Sequence, residues 1–181
     1  MFNTLSRMIR TGILTEPLPA ASEAAPAVGA PPAIESMQHD LWKVLGRALC
    51  IRHLDAGSCN GCELEIHALN NPYYNLEGAG IKFVASPRHA DLLLVTGPVS
   101  VNMEEALRRT YDAIPDPKIV VAIGDCGTCG GVFSARGENE PASYASRGRI
   151  ANIIPVNHTI PGCPPAPTAI LAGILQAVAA C

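Results

Sequence analysis

Charge is scarce in this 181-residue chain: Asp, Glu, Lys and Arg make up 16% of it, and 13 basic against 16 acidic residues leave a net charge of −3. That balance provides no electrostatic footprint for nucleic acid, and no nucleic-acid partner is expected. Aromatic side chains are scarcer still, at 4%, so a core must be built from Ala, Val, Ile and Leu. No internal repeat is visible. Long unbroken apolar runs are also missing. From Ile150 onward there is no Asp, Glu, Lys or Arg, but Pro155, Pro161, Pro164, Pro165 and Pro167 interrupt the stretch. Its proline-free remainder, residues 168–181, is shorter than the roughly 20 residues a membrane span needs. What is plentiful is aliphatic side chains, with 48% hydrophobic residues and a mean hydropathy of +0.20. Disorder of the whole chain is thereby excluded. Sixteen glycines and sixteen prolines predict many sharp turns, and so apolar a composition suits a chain with a face covered by a partner.

Seven cysteines stand at positions 50, 59, 62, 126, 129, 163 and 181. A secreted disulfide framework would favour an even number and an export signal, whereas Arg7 and Arg10 interrupt the first sixteen residues. A reducing compartment is expected, where cysteine clusters serve as metal or redox sites.

Met1, Phe2, Leu5, Met8, Ile9 and Ile13 recur at helical spacing, so residues 1–16 are expected to form an amphipathic helix lying on a partner subunit or a membrane surface. Residues 17–35 follow as an Ala/Pro-rich linker, semi-rigid and extended. The folded domain is expected over 36–181. Within it, strands are predicted at 50–55, 81–85, 92–96, 119–123 and 153–156, mostly as continuous aliphatic runs, the pattern of parallel strands buried on both faces. Helices are predicted at 40–49, 62–70, 101–114 and 166–180. Ser100 is the expected N-cap of the third helix, with Glu104–Arg108 and Glu105–Arg109 as solvated i,i+4 pairs. The alternation predicts an α/β domain of doubly wound type.

The chemistry sits in the turns. Cys59 and Cys62 lie in GSCNGCE, Cys126 and Cys129 in GDCGTCGG, and Cys163 in IPGCPP. Each turn follows a predicted strand, and loops at the carboxyl ends of parallel strands converge on one crevice. A four-thiolate site follows, open to zinc or to an iron–sulfur cluster. Structural zinc favours two short knuckles on a module that folds only with the metal. One CxxC joined by cysteines 64 and 37 residues further on, in a domain with ample core, favours a [4Fe–4S] cluster. The glycines around these cysteines would let backbone N–H groups approach the sulfurs. Spacing leaves open whether Cys126 or Cys129 is the third ligand.

Four segments resemble the family of the complex I 20-kDa subunit and the small subunits of energy-converting, membrane-bound [NiFe] hydrogenases. They are SCNGCELEI (58–66), SPRHADLLLVTGPV (86–99), PDPKIVVAIGDCGTCGGVF (115–133) and IPGCPPAP (160–167). The resemblance implies a flavodoxin-like fold and one [4Fe–4S] cluster on Cys59, Cys62, Cys126 and Cys163, with Cys129 beside it. Cys59-Asn60-Gly61-Cys62-Glu63 looks like the hydrogenase branch, of formate hydrogenlyase or hydrogenase-4 type, because the complex I members of the family have adjacent cysteines there.

An electron-transfer role is implied, between a separate large subunit and a ferredoxin-like iron–sulfur subunit, in a complex with membrane subunits on the cytoplasmic face of the cell membrane. The alternatives are a complex I-like relay to quinone and a non-redox zinc-bound assembly protein. Only Cys50, Cys129 and Cys181 remain, too few for a second cubane. Glu63, adjacent to a ligand, is expected to relay protons, or else to pair with a neighbour such as Arg88. Arg88 and Asp91 are expected to form an ion pair, and His53, His67, His89 and His158 to be structural or interface residues.

Overall fold

The computed structural model describes residues 46–133 and 143–180, together with the isolated helical positions His39 and Lys43. The predicted helix and linker at 1–16 and 17–35 lie outside the described residues, as does Cys181.

Five strands make the main sheet: β1 (Leu49–Asp55), β2 (Ile81–Phe83), β3 (Leu92–Thr96), β5 (Ile119–Ile123) and β7 (His158–Ile160). Every pairing between them is parallel, in the spatial order β2-β1-β3-β5-β7. A separate antiparallel ribbon joins β4 (Val99–Ser100) to β6 (Ser146–Gly148). With the ribbon set aside and the five strands counted along the chain, their order across the sheet is 2-1-3-4-5, the flavodoxin-like arrangement. The α/β class and the parallel sheet are as expected.

Both faces of the sheet are covered, which explains the aliphatic runs. Along β3, Leu92 and Leu94 turn toward one core while Leu93 and Val95 turn toward the other. On β5, Ile119, Val121 and Ile123 oppose Val120 and Ala122 in the same way. The first core is closed by α1 (Gly61–Ala68) and α4 (Pro167–Ala179) through Ile66, Ile170, Leu171 and Ile174. The second is closed by α2 (Glu104–Ala113) through Leu107 and by Ile150. Pro167 opens α4, where its missing N–H removes no helical bond.

Four expectations need correction. The run at 153–156 is no strand: Ile153 and Ile154 pack against the second core, Pro155 lacks a ladder donor, and the pairing strand is His158–Ile160. Residues 46–48 are not helical, and β1 begins at Leu49. Ser100 does not cap a helix but pairs with Ser146 in the ribbon, and α2 starts after Met103. GDCGTC, expected as a turn, forms a six-residue helix, α3 (Gly124–Cys129). The pairs Glu104–Arg108 and Glu105–Arg109 form as expected on the surface of α2, and Glu104 also takes Arg147.

Candidate metal centre

Three connections leave the carboxyl ends of β1, β5 and β7 and carry the cysteines to one end of the sheet. After β1, the exposed Asp55 carboxylate accepts the backbone N–H groups of Gly57 and Ser58, each at 2.7 Å. Burial, the largest influence, would raise its pKa, but these two bonds together with the Ser58 hydroxyl and nearby His53 hold the carboxyl below its ordinary 3.8. The two bonds set the turn that presents Cys59. Asn60, left-handed at φ 69°, directs the chain into α1 with Cys62 in its first turn.

After β5 the chain enters α3, which carries Cys126, and after β7 it reaches Cys163. Asp125 fastens these two connections together. Its backbone N–H donates to Gly162 O at 2.8 Å, and its Oδ1 accepts the N–H of Gly162 at 2.8 Å. Sequence reading passed over Asp125, whose only signal was its place beside Cys126.

At Gly124, φ is +79°, and a Cβ built there would lie 2.7 Å from Cys62 Sγ. Absence of that carbon lets the β5 connection close on the β1 connection. The thiols accordingly feel one another. Cys62 is pushed up to about 12 by burial first, then by Glu63, Cys59, Cys126 and Cys163. Burial, then Cys163, Cys59, Asp125 and Cys129, likewise raise Cys126. The structure thus brings together the four expected residues. Cys129 lies beside them with its thiol donating to Asp125 O at 3.1 Å, and Cys50 is half-buried in β1, away from the site.

The donor set, four cysteine thiols, is of the kind that holds an iron–sulfur cluster or a zinc ion. Four thiols this mutually repulsive once ionised can share the space as thiolates only against strong positive charge. Among the described residues, no group of three or more His, Cys, Asp and Glu side chains stands close enough to hold a single metal ion.

Glu63, next to Cys62 in the first turn of α1, is buried. Thr96 Oγ1 donates to its Oε1. A hydroxyl has one proton to give, so His53 Nε2, 3.1 Å from Thr96 Oγ1, donates to it in turn. His53 Nε2 is also 3.8 Å from Glu63 Oε1. Burial, the largest influence, lowers the His53 pKa although Glu63 and Asp55 pull it upward. Glu63 Oε2 and Arg52 Nε are buried without a hydrogen-bond partner among the described residues. Both residues line a cavity of about 340 Å³ with His53, His67 and Asn70. Arg88 is not the partner of Glu63, and the carboxylate of Asp91 is taken by Arg47 instead of Arg88.

The family profile described as NADH ubiquinone oxidoreductase, 20 Kd subunit, matches residues 59–177. The chain belongs to that family. Within the 20 Kd subunit family it is 47% identical over 145 residues to a protein of Pyrococcus furiosus described as a probable membrane-bound hydrogenase subunit, mbhJ, covering 80% of this chain and 83% of the relative. Formate hydrogenlyase subunit 7 of Escherichia coli is 43% identical over 145 residues, which is 80% of this chain but 54% of that protein. The chain therefore spans about half the length of the E. coli relative. Among solved structures it is similar to a chain of the membrane-bound sulfane sulfur reductase, an archaeal respiratory membrane complex, with a TM-score of 0.62 and 31% identity, covering 79% of this chain and 74% of that one. The resemblance read from the four motifs is borne out. No helix among the described residues is long and apolar enough to cross a membrane.

Proposed function

We propose that this oxidoreductase-family subunit transfers electrons within a membrane-associated [NiFe] hydrogenase-like complex, holding one [4Fe–4S] cluster on Cys59, Cys62, Cys126 and Cys163. The observation that carries this reading is the convergence of those four thiols from three separate connections. When bound, such a cluster supplies one-electron chemistry at a potential set by hydrogen bonds to sulfur and by burial. The chain's own residues hold the thiols in place. Asp55 shapes the Cys59 turn, Asp125 joins the Cys126 and Cys163 connections, and Gly124 keeps the gap beside Cys62 free of side chain.

The relatives' descriptions as hydrogenase and formate hydrogenlyase subunits, with the CxxCE motif, favour a nickel-bearing large subunit as the neighbour at this end of the sheet. A ferredoxin-like subunit would exchange electrons with it, and the assembly would sit on the cytoplasmic face of the membrane. A single zinc is a poorer match, because structural zinc favours two short knuckles on a small module that folds only with the metal, whereas these thiols come from three connections of a sheet with a core of its own. Glu63 is proposed to relay protons, reached from the neighbouring cavity through His53 and Thr96.

Anaerobic purification of the complex followed by iron, acid-labile sulfide and zinc analysis tests the reading. About four irons and four sulfides per chain are expected for the cubane; stoichiometric zinc without sulfide would overturn it. A companion large subunit without two CxxC pairs would remove the hydrogenase assignment and leave the quinone-linked one. For Glu63, E63Q with cluster spectra and turnover both unchanged would remove the relay.

A further inference from the structure

A second cavity, of about 480 Å³, opens at the other end of the sheet, beside the amino half of β1 and the edge strand β2. Cys50, on its wall, and Asp55, where the Cys59 turn begins, are five residue steps apart along β1; at about 3.3 Å per step that is roughly 17 Å of strand. The cavity owes nothing to the cysteine site.

Its lining is basic. Arg47 precedes β1, Lys82 stands opposite Cys50 in the β1–β2 register, and Arg88 and His89 lie on the short turn Pro87–His89 that leads toward β3. Asp91 is the single carboxylate, and it is already engaged. One oxygen takes the Arg47 guanidinium, and the other accepts the backbone N–H of Cys50 at 3.0 Å. Arg47 is thereby anchored and largely neutralised. Lys82 and Arg88 form no ion pair among the described residues. Counting Arg and Lys alone, three permanent cations face one carboxylate in a chain whose net charge is −3.

Like charges converging on a hollow repel unless an anion lies between them. A guanidinium fork and an ammonium together match the several oxygens of a phosphate group, the guanidinium bidentately and the ammonium as a point charge. The volume lies within the roughly 300–1,000 Å³ range of small-molecule sites, larger than inorganic phosphate alone fills. Val84, Ala90 and Pro115 give the wall an apolar portion for the rest of a ligand.

We propose that this cavity is an anion site for a phosphate group, held by Lys82 and Arg88 with Arg47 fixed behind them by Asp91. Soluble phosphate compounds and the headgroups of anionic lipids share that chemistry.

The full chain, kept reduced and anaerobic, would be titrated calorimetrically with sodium phosphate against sodium chloride at matched ionic strength. Separately, it would be sedimented with phosphatidylglycerol or phosphatidylcholine vesicles. Saturable binding of phosphate supports the proposal with a soluble source. Binding of phosphatidylglycerol vesicles alone supports it with a lipid source, provided the same variants abolish it. K82Q/R88Q should weaken binding about a hundredfold, roughly tenfold for each charge-assisted contact. R109Q, which removes a charge from α2 that does not line the cavity, should change it less than about twofold, and K82R/R88K should restore it. Both target side chains are exposed, and circular dichroism checks that each variant folds. Absence of saturable binding to either probe would overturn the proposal, as would equal weakening by R109Q and K82Q/R88Q.

Discussion

Replacing Gly124 by alanine tests whether the β5 connection closes on the Cys62 thiol. Two costs follow from the structure. A left-handed backbone costs an L-residue about 1–2 kcal/mol, and φ at this position is +79°. The new methyl would stand 2.7 Å from Cys62 Sγ and 3.4 Å from Gly162 O. Ordinary carbon contacts lie at about 3.5–4.0 Å, so roughly 1 Å of overlap must be relieved. Overpacking of this kind costs about 1–3 kcal/mol. Together the loss is about 2–5 kcal/mol.

Gly80 provides the internal control. Its φ is +82°, yet a Cβ there meets nothing within 4 Å, so G80A carries the backbone cost alone. Any loss of unfolded-chain freedom is common to both variants and cancels in the comparison. The difference isolates the thiol contact at about 1–3 kcal/mol, or roughly 2–12 °C in Tm for a chain of this size. Thermal unfolding followed by circular dichroism measures it, alongside the iron-to-protein ratio after anaerobic purification. G124A is expected to melt below G80A and to retain less iron, because relief of the clash displaces Cys62. Equal melting temperatures and equal iron would refute the reasoning and place Cys62 away from the β5 connection.

Three further outcomes follow from the same geometry. Serine at Cys59, Cys62, Cys126 or Cys163 should strongly reduce bound iron, while C129S, at an exposed thiol bonded to a carbonyl, should leave it near wild type; iron and sulfide assays separate the two groups. The Asp55 pKa is lower folded than unfolded, so its stabilisation is complete above its ordinary 3.8 and disappears as the pH falls through the folded value; D55N should flatten the acid limb of stability below about pH 4. D125A removes the acceptor for Gly162 N–H and should cost about 1–3 kcal/mol in denaturant unfolding, whereas D125N, which keeps an amide oxygen there, should cost less.

The strands most legible in the sequence were LLLVT and IVVAI, read residue for residue as β3 and β5, because a strand buried on both faces must be aliphatic throughout. The same logic failed at 153–156, where hydrophobicity signalled burial without pairing. The real β7, HTI, is an edge strand with one fully buried side chain, Ile160, and gives almost no signal of its own. Just before it, Asn157 Oδ1 accepts the N–H of Val120 at 2.8 Å, a side chain standing in for ladder backbone that no propensity argument anticipates. GDCGTC reads as a turn because two glycines suppress helix propensity, and tertiary packing decides otherwise. The cysteines were legible because they sit in the connections that follow strands, and a strand's direction fixes where its connection emerges. Asp125 was not, and Asp91 was read with Arg88 as its partner instead of Arg47, since each acts on a group 37 or more residues away.

The order of the strands also governs when this centre can come into being. Cys59 and Cys62 follow the first strand of the main sheet to be made, Cys126 follows the fourth, and Cys163 follows the last, an edge strand near the end of the described chain. On a ribosome, a half-made chain would expose the first pair of thiols long before the last strand had left the exit tunnel. The edge strand docks on β5 alone, so the fourth thiol arrives only once the rest of the sheet exists to receive it. For the proposed cluster, maturation machinery that delivers iron and sulfide would thus find a complete nest of ligands on finished protein and an open one on every nascent or truncated form.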